Sequence, residues 1–188
     1  MTRPADPHVS GNDVLGNEAG GVTSRVATRA ERDVWALLED VPDPEIPVLS
    51  VVELGVIRYV RGVDRRKIEV GVSPTYTGCP ATEVIQGAIR TKLQAAGFGD
   101  IRIDPVLAPP WTSDWLTESA REKLKDYGIA PPAHAVGNAR HLFREPKVQC
   151  PCCSSPQTQR LSEFGSTPCK ALYRCSACLE PFEYFKCI

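Results

Sequence analysis

Two C-x-x-C pairs near the end of the chain, Cys150-Pro151-Cys152-Cys153 and Cys175-Ser176-Ala177-Cys178, are separated by 21 residues. A C-x-x-C turn places two thiolates on one side of a tight knuckle, and two knuckles at the end of a small β-ribbon close a tetrahedral metal site. The segment that carries them, 147–188, is too short to bury the apolar surface needed to fold alone, so the metal supplies much of its folding free energy. Cys150, Cys153, Cys175 and Cys178 are the expected ligands of one structural zinc, and the same tetrathiolate geometry accepts iron. Segments 158–164, 171–174 and 181–185 are short, rich in Leu, Tyr and Phe, and suited to the strands of such a ribbon. Cys152 is left out because its spacing to Cys150 is wrong for a knuckle. Cys169 and Cys187 stay open between core packing, a minor reactive pair, and ligands that displace one of the four.

These cysteines are an excess that the rest of the composition does not share. The chain has 188 residues, eight of them Cys, with 22 Lys and Arg against 23 Asp and Glu. That balance creates no global field to draw the protein to nucleic acid or an anionic membrane. The ribbon itself carries Lys147, Arg160, Lys170, Arg174 and Lys186 against Glu163, Glu180 and Glu183, a balance of +2 with no dense basic run. No stretch reaches the length of a membrane span, and residues 1–21 lack the basic and apolar regions of a signal peptide. The expectation is a cytoplasmic protein with no nucleic-acid or membrane partner. In a reducing compartment its thiols serve metal binding, reactivity or packing rather than disulfides.

Upstream of the ribbon the chain reads as a second, larger module. Residues 1–27 are rich in Gly, Asn, Asp and Pro and are expected to form a disordered leader. Thr28-Arg29-Ala30-Glu31 is a capping box that opens a helix with Val34, Leu37, Leu38 and Val41 on one face. Three prolines in 41–47 then make a stiff loop. Two strand-like runs follow, 54–61 and 67–73, joined by a plausible hairpin connection at 62–66. A helix from Pro80 to about Ala96, with Val84, Ile85, Ala88, Ile89 and Leu93 inward, and a third strand at 101–107 complete the pattern. Helix, strand, strand, helix, strand describes an α/β sandwich whose first core ends near Leu107. One more helix is expected at 117–127, and 129–146 reads as a linker. The fold class is therefore α+β: a leader at 1–27, a small α/β sandwich with an extra helix at 28–128, a linker at 129–146 and a zinc ribbon at 147–188.

Cys79 stands apart from the ribbon, at the expected strand-to-helix turn and directly before Pro80. First-turn amides and the helix dipole stabilise a thiolate there, while a buried, unreactive Cys is the competing reading. No His is placed to act as its base, which argues against a Cys-His hydrolase. Asp43 and Glu45 in the Pro-rich loop are either an acid/base pair or simply solvated.

Asp43-Pro44-Glu45-Ile46-Pro47, Leu54-Gly55-Val56-Ile57 and Pro74-Thr75-Tyr76-Thr77-Gly78-Cys79-Pro80 resemble the SufT-like family of metal-sulfur cluster assembly domains. With Glu163-Phe164-Gly165-Ser166-Thr167-Pro168-Cys169-Lys170 and Glu180-Pro181-Phe182-Glu183-Tyr184-Phe185-Lys186-Cys187 added, residues from about 30 to 188 resemble the accessory-protein family of the bacterial phenylacetyl-CoA epoxidase system. The resemblance implies a non-catalytic role in aerobic phenylacetate breakdown. There a di-iron oxygenase is fed by a reductase carrying an iron-sulfur cluster and a flavin, and these two components become the expected partners. It further implies that Cys79 is the family's reactive cysteine, that Asp43, Glu45 and Thr77 line its pocket, that the cargo is iron or an iron-sulfur cluster held transiently, and that the protein is a homodimer. A non-catalytic structural subunit of the epoxidase is the alternative. One thiolate per chain is too few for the usual four-cysteine ligation of a cluster, so any cluster needs ligands from elsewhere.

Overall fold

The computed structural model describes residues 28–64, 67–132 and 147–186. The expected leader, residues 65–66 of the expected hairpin connection, most of the expected linker, and Cys187 lie outside the described residues. Helix α1 (Arg29–Glu39) begins with the expected capping box. The Thr28 hydroxyl accepts from the Glu31 amide at 3.2 Å, and the Glu31 carboxylate accepts from the Thr28 amide at 2.7 Å. Val34, Leu38 and Val41 are buried as the periodicity requires. The Pro-rich loop that follows folds back on itself, with Asp43 donating its amide to the Leu49 carbonyl at 2.8 Å and Val51 donating to Val41 at 2.9 Å. Ile46 and Leu49 are buried beneath it.

Strands β1 (Ile57–Asp64) and β2 (Lys67–Val72) pair antiparallel; helix α2 (Ala81–Ala95) then carries the chain over to β3 (Asp100–Pro105), which pairs parallel with β2. The sheet order is β1-β2-β3, which makes β2 central, and its Ile68, Val70 and Val72 are buried. β1 starts at Ile57 and not near Leu54, because residues 51–55 form a turn whose Gly55 has φ +71°. A side chain at Gly55 would have its Cβ 2.7 Å from the Trp115 carbonyl oxygen, so this position needs glycine for both conformation and space. In α2 the buried residues are Ala81, Ile85, Ile89 and Leu93, a strict i, i+4 row, whereas Val84, expected inward, is 58% exposed. Helix α3 (Glu118–Asp126) is capped by the Thr117 hydroxyl, which accepts from the Ala120 amide at 3.1 Å.

The core runs on well past Leu107. Trp111, Leu116, Ala120, Leu124 and Ile129 belong to it, and so do two residues of the ribbon, Cys169 and Phe185. Trp111 sits at this junction: its indole N–H donates to the Leu54 carbonyl at 3.1 Å, and its ring meets the Phe185 ring edge-on at 6.0 Å. Ile129–Ala130, at the head of the segment expected as a linker, forms strand β4. With β5 (Thr158–Ser162), β6 (Lys170–Cys175) and β7 (Pro181–Phe185) it makes a second sheet in the order β4-β7-β6-β5. A smaller core of Val148, Cys150, Ala171, Tyr173, Cys175, Phe182 and Tyr184 fills the ribbon. Among the described residues no helix is long and apolar enough to cross a membrane.

Candidate functional site

The ribbon gathers the four cysteines expected as its ligands. Cys150 Sγ lies 3.7 Å from Cys178 Sγ, Cys153 Sγ lies 3.6 Å from Cys175 Sγ, and all four sulfurs stand within 4.8 Å of one another. A tetrahedron with metal–sulfur bonds of about 2.3 Å has edges of about 3.8 Å, so the quartet matches the spacing that a tetrathiolate ion requires. The two knuckles are built alike. The residue after each pair, Ser154 and Leu179, takes a left-handed φ of 58° and 67°, and the Cys178 amide lies 3.5 Å from Cys175 Sγ. The amides of Cys178 and Ala177 pull the Cys175 thiol down to about 6. Cys178 has the Glu180 amide to favour its thiolate, yet burial and the three neighbouring thiols push it up to about 12. Four thiols this close cannot all ionise by themselves, and a divalent cation at their centre removes the conflict. Cys152 is exposed and outside the quartet.

A second site lies where the ribbon meets the larger module. Asp43, Glu45, Ser73, Thr75, Cys79 and Cys169 wall a cavity closed by apolar residues that include Ile46, Ile85 and Phe185, with an interior volume of about 20 Å³. That is room for one water or one ion, since a single water needs at least about 10–15 Å³ on this measure. Cys79 reaches the wall because Gly78, at φ +81°, turns the chain into α2; the Cys79 amide donates to the Tyr76 carbonyl at 3.2 Å. Asp43 is 5% exposed, and its Oδ1 accepts from the amides of Ile46 at 2.7 Å and Glu45 at 2.9 Å. The carboxylate thus holds the Pro-rich loop in shape and aims Glu45. Burial pushes the Asp43 carboxyl above its ordinary range, and the two amides and the nearby Lys170 charge offset this only in part. Lys170 is itself buried and paired with Glu183 at 3.0 Å.

Polar atoms around this cavity are left without partners. The hydroxyls of Ser73 and Tyr76 are buried and make no hydrogen bond. Burial, followed by the neighbouring Cys79, Glu45 and Cys169, pushes the Tyr76 phenol up to about 12. Thr77, expected to line the same pocket, is exposed on the outer side of the turn and is not part of the wall. The cavity's other cysteine, Cys169, is open to several readings in the sequence. It is 4% exposed, its Sγ lies 3.8 Å from Glu45 Oε2, and it is 3.1 Å from the Thr167 hydroxyl. Residues 45 and 169 are 124 positions apart. No local pattern links them, although the strand that begins at Lys170 directly after Cys169 is a hint that this cysteine sits at a sheet end.

Two family models divide the chain at this junction. One, described as an iron-sulfur cluster assembly protein, matches residues 31–103, and the other, described as the PaaD zinc beta ribbon domain, matches residues 135–186. A protein of Escherichia coli strain K12, named as a putative subunit of 1,2-phenylacetyl-CoA epoxidase, is 50% identical over 87% of this chain and 99% of its own length. The chain belongs to the PaaD family. Its larger module is also 33% identical to a protein of Porphyromonas gingivalis named "Fe-S protein maturation auxiliary factor", over 51% of this chain and 91% of that one. A Bacillus anthracis crystal structure of a domain of unknown function, DUF59, is matched over 50% of this chain and 90% of its own at 26% identity, with a TM-score of 0.47. In this chain the ribbon quartet brings four cysteine sulfurs face to face, and the Cys79 pocket sets two more cysteines in one cavity wall.

Proposed function

We propose that this chain is a non-catalytic accessory factor of a phenylacetyl-CoA epoxidase system, in which Cys79 transiently holds iron as cargo and passes it on during maturation of the reductase or oxygenase component. The observation that carries this reading is the one-ion cavity with Cys79 and the carboxylates of Glu45 and Asp43 in its wall. A thiolate beside carboxylate oxygen is a donor set that suits ferrous iron. The cavity takes a single ion, so any cluster would share ligands with a client or with a second copy of this chain in a homodimer. The names of the relatives support the direction: one is an epoxidase subunit and another a maturation auxiliary factor. In this reading the ribbon quartet holds structural zinc and its outer face docks the client in the cytoplasm.

The test is Cys79→Ser in cells that make the epoxidase. The variant should fold and keep its ribbon metal, while the reductase purified beside it is depleted of iron and sulfide. A reductase with its full complement of both would overturn the proposal. The name of the E. coli relative favours one further reading, a structural component of the epoxidase with Cys79 dispensable. Stoichiometric co-purification with the active oxygenase, unaffected by Cys79→Ser, would establish that role instead.

A further inference from the structure

We infer that Cys169, carried by the ribbon, is the second thiolate of the Cys79 pocket, so that a single divalent iron is held between the two modules by Cys79, Cys169 and Glu45. This rests on the reading of that pocket as a cargo site and adds a ligand that the larger module does not contain.

Several observations converge on it. Cys79 and Cys169 line the same cavity, and Cys169 Sγ approaches Glu45 Oε2 at 3.8 Å. Two soft sulfurs and one hard oxygen select iron, zinc or cobalt over magnesium or calcium. Ser73, 1% exposed, lines the cavity with its hydroxyl unpaired. Buried hydroxyls without partners are costly in a dry pocket and are satisfied when an ion or its bound water occupies it. As anions, Cys79, Cys169 and Glu45 repel one another across one small cavity. A cation between these groups turns that repulsion into attraction. Among the described residues only the ribbon quartet draws its donor atoms within 4.8 Å of one another. The pocket's donors are more widely spread, and they close on an ion by rotation of the side chains. A closed quartet suits a resident ion, whereas an open set suits one that must leave.

Cobalt(II) added to the full-length, zinc-loaded protein tests this directly, because its thiolate charge-transfer band grows with the number of sulfur ligands. Wild type should show a two-sulfur band. Cys79→Ser and Cys169→Ser should each show about half of it with binding weakened about tenfold or more, a loss that even an outer-shell partner can produce. The double variant should show none. Zinc content checks that each variant keeps its ribbon. A second readout needs no variant: cobalt should protect both Cys79 and Cys169 of the wild-type chain from iodoacetamide. Full band and affinity in Cys169→Ser, or protection of Cys79 alone or of neither, overturns the inference. The reductase's iron in the Cys79→Ser strain reports separately on the function, so a one-thiolate carrier and a two-thiolate site without a maturation role give different results.

Discussion

Phe185→Ala should destabilise both modules together. Phe185 is 1% exposed, belongs to the core of the larger module although it ends the last ribbon strand, and lies edge-on to Trp111 at 6.0 Å. Truncating a buried phenylalanine costs about 3–5 kcal/mol, and the ring pair, worth ~0.5–1.5 kcal/mol, is contained in that range. At a urea slope of about 2 kcal/mol per molar, the unfolding midpoint falls by about 1.5–2.5 M. The three tryptophans, Trp35, Trp111 and Trp115, all precede the ribbon, so their fluorescence follows the larger module. Release of ribbon metal to a chromophoric chelator follows the other. In wild type the two transitions should coincide, and in Phe185→Ala both should move down. A fluorescence midpoint shifted by less than about 0.5 M, with early metal release, would mean the ribbon is merely tethered and the shared core contributes nothing.

Gly55→Ala should cost at least about 1–2 kcal/mol from the left-handed backbone alone, and more because the new Cβ meets the Trp115 carbonyl at 2.7 Å; an unchanged melting temperature would contradict this. Cys150→Ser should lose the ribbon metal in elemental analysis while Cys152→Ser keeps it, since only the first belongs to the quartet. Asp43→Asn tests the buried carboxyl. An acid whose folded pKa is raised favours the folded state while protonated, fully so below the unfolded value near 3.8, and this contribution is lost as pH rises through the folded pKa. Asparagine keeps an acceptor for the two amides and does not ionise, so the variant should gain stability on wild type as pH rises from the unfolded value near 3.8 through the raised folded value. A difference that stays constant across that range would remove the argument.

The parts that are legible in the sequence are those governed by local rules. The capping box at Thr28, the i, i+4 row of α2 and the two C-x-x-C knuckles each need only a few neighbouring residues, and the structure has all three. Val84 misleads because it is apolar and adjacent to Ile85, yet on α2 it lies off the buried row. β4 is two residues long, too short to have a period, so its pairing with β7 is invisible in 129–146, which reads as a polar, Pro-rich stretch. Cys169 and Phe185 escape for a different reason. Cys169 takes its environment from the loop around Glu45, more than a hundred positions away, and Phe185 from Trp111, in a Pro-rich segment that reads as a break but packs as core.

One strand joins the two sulfur sites. β6 begins directly after Cys169 and ends at Cys175, a span of about 20 Å at the usual rise per residue. β7 runs antiparallel beside it, with Lys170 opposite Phe185 and Arg174 opposite Pro181. Both pocket residues of the ribbon therefore lie at one end of this pair and the second knuckle lies at the other. If so small a segment depends on a metal in the quartet for folding, losing that ion would free the strands and take Cys169 and Phe185 out of the cavity wall. If iron binds only the assembled pocket, linkage requires the ribbon's metal to strengthen iron binding, with the same coupling energy in the reverse direction.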